Sequence, residues 1–221
     1  MMSIGNDIVA LKSEGAVRAG QTKFYSKIIT VPELALYCSK KFAVLPFENF
    51  VWLLWSVKEA VYKYQKRNNL TLLFSPKKIV IQHIELPLKQ FAIKFGNVEF
   101  EQASMNDGDC YTCKIYSGAD VFYSKSQVYD ELVHTIVNIT EDFTNICWGV
   151  KYIPDTGYEE QSKSARSFVL NKMSAFFPND NLQIAKSQIG YPVVFKNSQL
   201  LYLPLSFAHH ENFVGYSFLL Q

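Results

Sequence analysis

Glu59 and Lys63 stand four residues apart in Trp55-Ser56-Val57-Lys58-Glu59-Ala60-Val61-Tyr62-Lys63-Tyr64. A carboxylate can hold a hard divalent cation, and an ammonium can pair with phosphate oxygens. On a helix, positions i and i+4 share a face, so the two groups could serve one site. The same spacing also describes an ordinary solvated ion pair, worth only about 0.2–0.5 kcal/mol. Trp52 and Trp55 flank the sector of Glu59, with Tyr62 close by, and wet helix faces rarely carry two tryptophans. That company points to a cleft, although spacing alone leaves both readings open.

Three other places could carry chemistry. Asp7 interrupts the apolar run Ile4 to Leu11. An acid there costs several kcal/mol unless it is paired, hydrogen-bonded or bound to a cation, so it either caps a turn or serves as a ligand. His209-His210-Glu211-Asn212 occupies a turn between two apolar segments. Consecutive residues on a tight turn rarely converge on one metal, whereas an imidazole N–H can donate to a phosphate. Cys110-x-x-Cys113 would be half a zinc site, but no second pair or nearby His completes it, and it is read as structural.

These residues need elements to position them. Phe50, Leu54, Val57, Val61 and Tyr64 form an apolar stripe along a helix expected from about Phe47 to Lys66, opened by Pro46 and closed by Lys66-Arg67-Asn68-Asn69. Thr30-Val31-Pro32-Glu33 is a helix start with a capping box. Ser13 to Gly20 is a weaker helix candidate. Strands are expected at Ile4–Leu11, Lys77–Glu85, Phe91–Phe95, Val98–Ala103 and Tyr111–Tyr116, with turns at Gly96-Asn97 and Asn106 to Asp109. From about Ser117 the order restarts: an amphipathic, helix-like segment at Val128–Val137, a strand at Asn145–Ile153 and a helix at Ser162–Phe177. Strands follow at Pro192–Phe195, Leu200–Phe207 and Phe213–Leu219. The expected fold is α+β, two similar halves forming a pseudo-dimer, each a long helix packed on a small antiparallel sheet. The first half is taken as residues 1–110 and the second as 111–221.

The 221 residues, 48% hydrophobic and 15% aromatic, can bury a sizeable core. A formal net charge of +2, without an Arg-rich run, argues against a nucleic-acid partner. Four cysteines in a chain this long suggest a reducing compartment. Asp7 breaks the apolar start that a signal peptide would need, and the longest apolar run, Phe50 to Trp55, is too short to span a bilayer. A soluble cytoplasmic protein, with no membrane partner, is expected.

The stretch from Trp55 to Lys63, read as W-S-x-K-E-A-x-x-K, resembles the signature of the 4′-phosphopantetheinyl transferases. Gly5-Asn6-Asp7-Ile8-Val9 resembles the family's G-x-D-I-V segment, and Ser206-Phe207-Ala208-His209 its S-x-S-H segment. The resemblance implies transfer of the phosphopantetheine arm of coenzyme A to a serine of an acidic acyl or peptidyl carrier protein, with release of 3′,5′-ADP, in fatty acid or polyketide biosynthesis. It implies Mg2+ held by Asp7 and Glu59, with Glu59 or Lys63 helping to remove the serine proton. Lys63 would pair with phosphate, and Ser206 and His209 would grip coenzyme A, His209 near its 3′-phosphate. The His segment comes last, as in the short holo-acyl-carrier-protein synthases, in a chain of double length. One monomeric chain with an internal pseudo-twofold should then contain a whole site. Val9, Ala208 and Gln65 to Asn69 depart from the family pattern, so a non-catalytic carrier-protein or coenzyme A binding module is the alternative.

Overall fold

The computed structural model describes residues 3–39, 42, 44–88, 95, 100–102, 105, 107–188 and 190–220. Its strands form antiparallel sheets, and its longest helices lie on their faces. The largest sheet has the order β1 (Gly5–Ala10), β6 (Leu132–Asn138), β5 (Asp120–Val128), β4 (Tyr111–Ser117), β2 (Ile79–Glu85). A second holds β11 (Leu205–His210), β12 (Phe213–Leu219), β7 (Ile146–Tyr152) and β3 (Phe100–Gln102). A third, smaller one is made of β10 (Gln199–Leu201), β9 (Pro192–Lys196) and β8 (Leu182–Lys186).

Helix α3 (Phe47–Lys66) follows Pro46 and carries Glu48 in its first turn and Lys63 and Lys66 in its last, charges that suit its dipole. It buries Leu53, Leu54, Val57 and Val61 against Val9, Ile115, Val133 and Val137 of the largest sheet. The other face of that sheet contributes Ile4, Ile8, Leu132 and Ile136 to a core shared with Trp148, Val150, Ala208 and Phe213 of the second sheet. Helix α4 (Tyr158–Ser174) then covers the outer face of the second sheet, packing Phe168, Val169 and Met173 on Cys147, Tyr216 and Phe218. The layers therefore run helix, sheet, sheet, helix. Strand alternation explains the middle: side chains at i and i+2 share a face, so β1 sends Asp7 and Val9 to α3 and Ile8 to the other sheet.

The capping box at Thr30 forms as its sequence requires: Glu33 N donates to Thr30 Oγ1, and Thr30 N donates to Glu33 Oε2 at 2.7 Å. It opens α2 (Val31–Cys38). Glu33 also reaches inward, where Lys58 Nζ donates to its Oε2 at 2.8 Å and Ile81 N to its Oε1 at 2.9 Å. Both side chains of this ion pair are fully buried. It ties α2, α3 and β2 together, and it holds the signature lysine, Lys58, away from solvent.

Several expectations change. Val128–Val137 is not helical: β5 ends at Val128 and β6 begins at Leu132, because Val133, Thr135 and Val137 alternate with Leu132, His134 and Ile136 in a sheet buried on both faces. Ser13–Gly20 yields only a 3-10 turn at Ala16–Gly20, followed by the short α1 (Thr22–Tyr25). Leu200–Phe207 is two strands, separated at Pro204, whose ring nitrogen has no proton for a ladder. Helix 162–177 starts earlier, at Tyr158, and β8 has no counterpart in the sequence reading. Of the expected hairpin at 91–103, only Phe95 and residues 100–102 are described, the latter as β3; the rest lies outside the described residues. Strands β4 to β6, all beyond residue 110, lie in the sheet with β1 and β2, so a cut after 110 passes between the paired strands β2 and β4. The chain visits the second sheet at β3, returns to the first at β4, and leaves it again after Asn138 for β7 at Ile146.

Candidate active site

Asp7 reaches the site because α3 lies almost on β1. A Cβ added at Gly5 would stand 2.0 Å from the Ala60 carbonyl oxygen, so only glycine permits this approach. One strand step on, Asp7 points at the same helix. Its Oδ1 accepts from Lys63 Nζ at 2.7 Å, and that ammonium also stands 3.7 Å from Glu59 Oε1. Asp7, Glu59 and Lys63 are thus brought together, with Asp7 nearly closed to solvent and the other two half-buried.

The electrostatics follow from that burial. Desolvation raises the Asp7 carboxyl to about 7; Lys63 opposes the rise and the Glu59 charge adds to it. Burial works against the Lys63 charge, but Asp7 and Glu59 outweigh it and hold the ammonium above its ordinary range. Asp7 Oδ2 has no hydrogen-bond partner among the described residues. The Ser56 hydroxyl lies near enough to influence Asp7, yet it completes no hydrogen bond among the described residues. A buried carboxylate oxygen without a donor is costly, and a hard cation is the ligand that relieves it. Asp7 with Glu59 therefore fits a cation held by two carboxylates, with water and substrate phosphates completing the shell. No cluster of three or more metal-ligating side chains occurs among the described residues.

Lys63 also lines a cavity of about 360 Å³ that opens between α3 and α4. Ser206 and His209 of β11 line the same cavity from the far side. His209 stands at the end of its strand, with its ring 6.0 Å from that of Tyr158 at the start of α4. Burial lowers its pKa, helped by Lys63 and His210 and opposed by Glu59. The expected turn at 209–212 is shorter than the sequence suggests, since His209 and His210 both belong to β11.

The sequence reading missed most of the cationic lining. Lys66, Arg67, Arg166 and Lys186 all face the cavity, and no Asp or Glu lines it among the described residues. Arg67 Nη2 is buried without a hydrogen-bond partner among those residues, its guanidinium lies 5.2 Å over the Tyr191 ring, and burial lowers its pKa to about 10. Lys186 Nζ donates to Tyr158 Oη at 3.1 Å. Trp52 also departs from expectation. It is buried beneath the 3-10 turn, and its Nε1 donates to Ala16 O, whereas Trp55 stays half-buried against Phe74. A chamber with this lining suits a ligand bearing several negative charges and a planar ring, because guanidinium and ammonium pair with phosphates while aromatic faces stack on bases.

One lysine thus links a buried carboxylate pair to a cation-lined chamber. The sequence model of the 4′-phosphopantetheinyl transferase superfamily matches residues 3–115, about half of the chain, and the chain belongs to that superfamily. Its members transfer the phosphopantetheine arm of coenzyme A, act on carrier proteins and are generally metal-dependent. No curated protein and no solved structure matches the chain significantly. No helix among the described residues is long and apolar enough to cross a membrane.

Proposed function

We propose that this chain transfers the 4′-phosphopantetheine arm of coenzyme A to a serine hydroxyl of an acyl or peptidyl carrier protein, with Mg2+, releasing 3′,5′-ADP. The observation that carries the proposal is Lys63: it bonds Asp7 at 2.7 Å and lines the chamber that also holds Ser206 and His209. Asp7 and Glu59 would hold the metal, which would supply neutralisation of pyrophosphate charge. Ser206 and His209 grip the nucleotide end, and Arg67 and Lys186 add positive charge for its phosphates. The carrier serine oxygen bonds to the inner phosphorus, the bond to the bridging oxygen breaks, and 3′,5′-ADP departs. Glu59, at the exposed edge of the cluster, receives the serine proton directly or through water. Lys63 suits the role of charge partner better than base, because its carboxylate neighbours favour the protonated form.

The helix, sheet, sheet, helix layering supports reading the chain as two similar halves around a shared interface. We place the division in 139–145, where the chain leaves the first sheet for β7; β3 then belongs to the first half but pairs in the second sheet. Asp7, Glu59, Lys63, Ser206 and His209 gather within a single chain, which favours a monomer. The His segment coming last favours the holo-acyl-carrier-protein synthase type, and the four cysteines favour a reducing, cytoplasmic compartment. Val9 and Ala208 fit this reading as core residues: Val9 packs under α3, and Ala208 packs between the sheets where a hydroxyl would meet apolar neighbours. Incubation with coenzyme A, Mg2+ and a panel of apo-carriers, followed by intact mass, tests the proposal. A Mg2+-dependent gain of one phosphopantetheine on a carrier is expected. Coenzyme A binding without any gain would leave a binding module.

A further inference from the structure

The proposed site is built across two strands that no ladder joins. Strand β1 carries Asp7 and is the edge of its sheet; β11 carries Ser206 and His209 and is the edge of the other. The two lie against each other, and the second sheet presses closely on β1: a Cβ at Gly215 of β12, the ladder partner of Ala208, would stand 2.6 Å from Ile8 Cδ1. Apolar packing has no preferred direction along a strand, so it does not by itself fix how far β11 slides along β1. A directional bond exists at one end. Ala10 N, in the last residue of β1, donates to His210 Nδ1 at 3.1 Å.

The tip that presents His210 is itself anchored. Glu211 is held at φ 51, a left-handed conformation unusual for a side chain of its size. Gln161 Nε2 of α4 donates to Glu211 O at 2.9 Å, and Asn212 Nδ2 donates to Ile153 O at 2.9 Å and Pro154 O at 3.2 Å. Such strain persists where the surroundings over-determine it, and it gathers at functional sites. With Nδ1 accepting, the ring is the neutral imidazole carrying its proton on Nε2.

We propose that His210 is a positioning residue for the transfer reaction: as a neutral acceptor for the Ala10 amide, it fixes the register of β11 on β1 and so sets Ser206 and His209 against Asp7. The proposal rests on the reading under Proposed function. Protonation of Nδ1 abolishes the acceptor, so the lock holds at neutral pH and opens in acid. Burial lowers the His210 pKa; Glu211 beside it and Glu59 on α3 favour its charged form, while Arg18 on the 3-10 turn and Lys63 on α3 disfavour it. A histidine whose folded pKa lies below its unfolded value adds stability above the unfolded value, and loses it as pH falls toward the folded one.

The test compares His210→Asn, whose Oδ1 can accept near the place of Nδ1 without titrating, with His210→Leu, which cannot accept. In the full-length protein, His210→Leu should lower kcat about tenfold, the scale of one lost hydrogen bond, with the coenzyme A KM changed less than about threefold. His210→Asn should stay within about threefold of wild type in kcat. The wild-type melting temperature should fall more than that of His210→Asn between about pH 7.5 and about pH 5.5, either side of the ordinary histidine value. If Asn is as slow as Leu, or if Leu lowers the melting temperature but leaves kcat unchanged, the positioning role is overturned. If no protein transfers the arm, the transferase reading fails separately. The lock is then judged by melting alone, and equal pH dependence in wild type and His210→Asn would overturn it.

Discussion

At the scale of single residues, the arrangement of charge does most of the work. Asp7 is buried deeply enough that its carboxyl rises to about 7, and its Oδ2 lacks a donor among the described residues. A carboxyl raised above its unfolded value of 3.8 stabilises the fold fully below that value and loses the contribution as pH rises through about 7. Asp7→Asn should remove this slope. Without metal, the wild-type melting temperature should decline relative to Asp7→Asn from about pH 4 to about pH 7, as calorimetry would record. With metal and coenzyme A, Asp7→Asn and Glu59→Gln should each lower kcat about 100-fold or more, read as 3′,5′-ADP release. His209 answers to a different measurement. His209→Ala should weaken coenzyme A binding by about 1–3 kcal/mol, while dephospho-coenzyme A binds wild type and variant almost equally. Equal losses for both ligands, by titration calorimetry, would mean that His209 shapes the chamber without gripping the 3′-phosphate.

At the scale of elements, α3 is where sequence signature and architecture meet. Its Lys63 joins Asp7 of β1 and Glu59 to the chamber, whereas its Lys58, inside the same signature, is sealed against Glu33. Removing one partner from a buried ion pair leaves an uncompensated charge, which typically costs about 3–5 kcal/mol. Lys58→Met should therefore lower stability in urea by about that amount, and Lys58→Met with Glu33→Gln should recover part of it. Because Lys58 does not line the chamber, the folded variant should bind coenzyme A as wild type does. A selective loss of binding with unchanged stability would put Lys58 in the site instead.

At the scale of the molecule, the chamber lies between α3 and α4, and both helices belong to one chain. If the proposed site is complete within one chain, specific activity should stay constant on dilution from micromolar to nanomolar protein, and sedimentation should give a species of 25.3 kDa. Activity that falls with dilution would mean that a second chain completes the site. The shared core between the sheets also explains why the layers are interdependent: Ile8 and Ile136 of one sheet are covered by Trp148 and Phe213 of the other.

The sequence by itself determined the parts that depend on near neighbours. Thr30 and Glu33 announce α2 because a capping box closes within three residues, and the stripe from Phe50 to Tyr64 announces α3 because a helix repeats within four. The same locality put Glu59 and Lys63 on one face and marked Asp7 as an acid inside an apolar run, either a turn cap or a ligand. Only the tertiary structure decided what those faces meet. Val128–Val137 reads as a helix-like amphipathic segment and is a strand only because the sheet buries both of its faces. Arg67, Arg166 and Lys186 carry no local signal of a site, because nothing in the sequence says that α3, α4 and β8 converge on one chamber. Likewise, adjacent histidines at 209 and 210 are alike in sequence. Strand alternation turns the first into the chamber and the second onto the Ala10 amide, a difference that exists only once β11 lies beside β1.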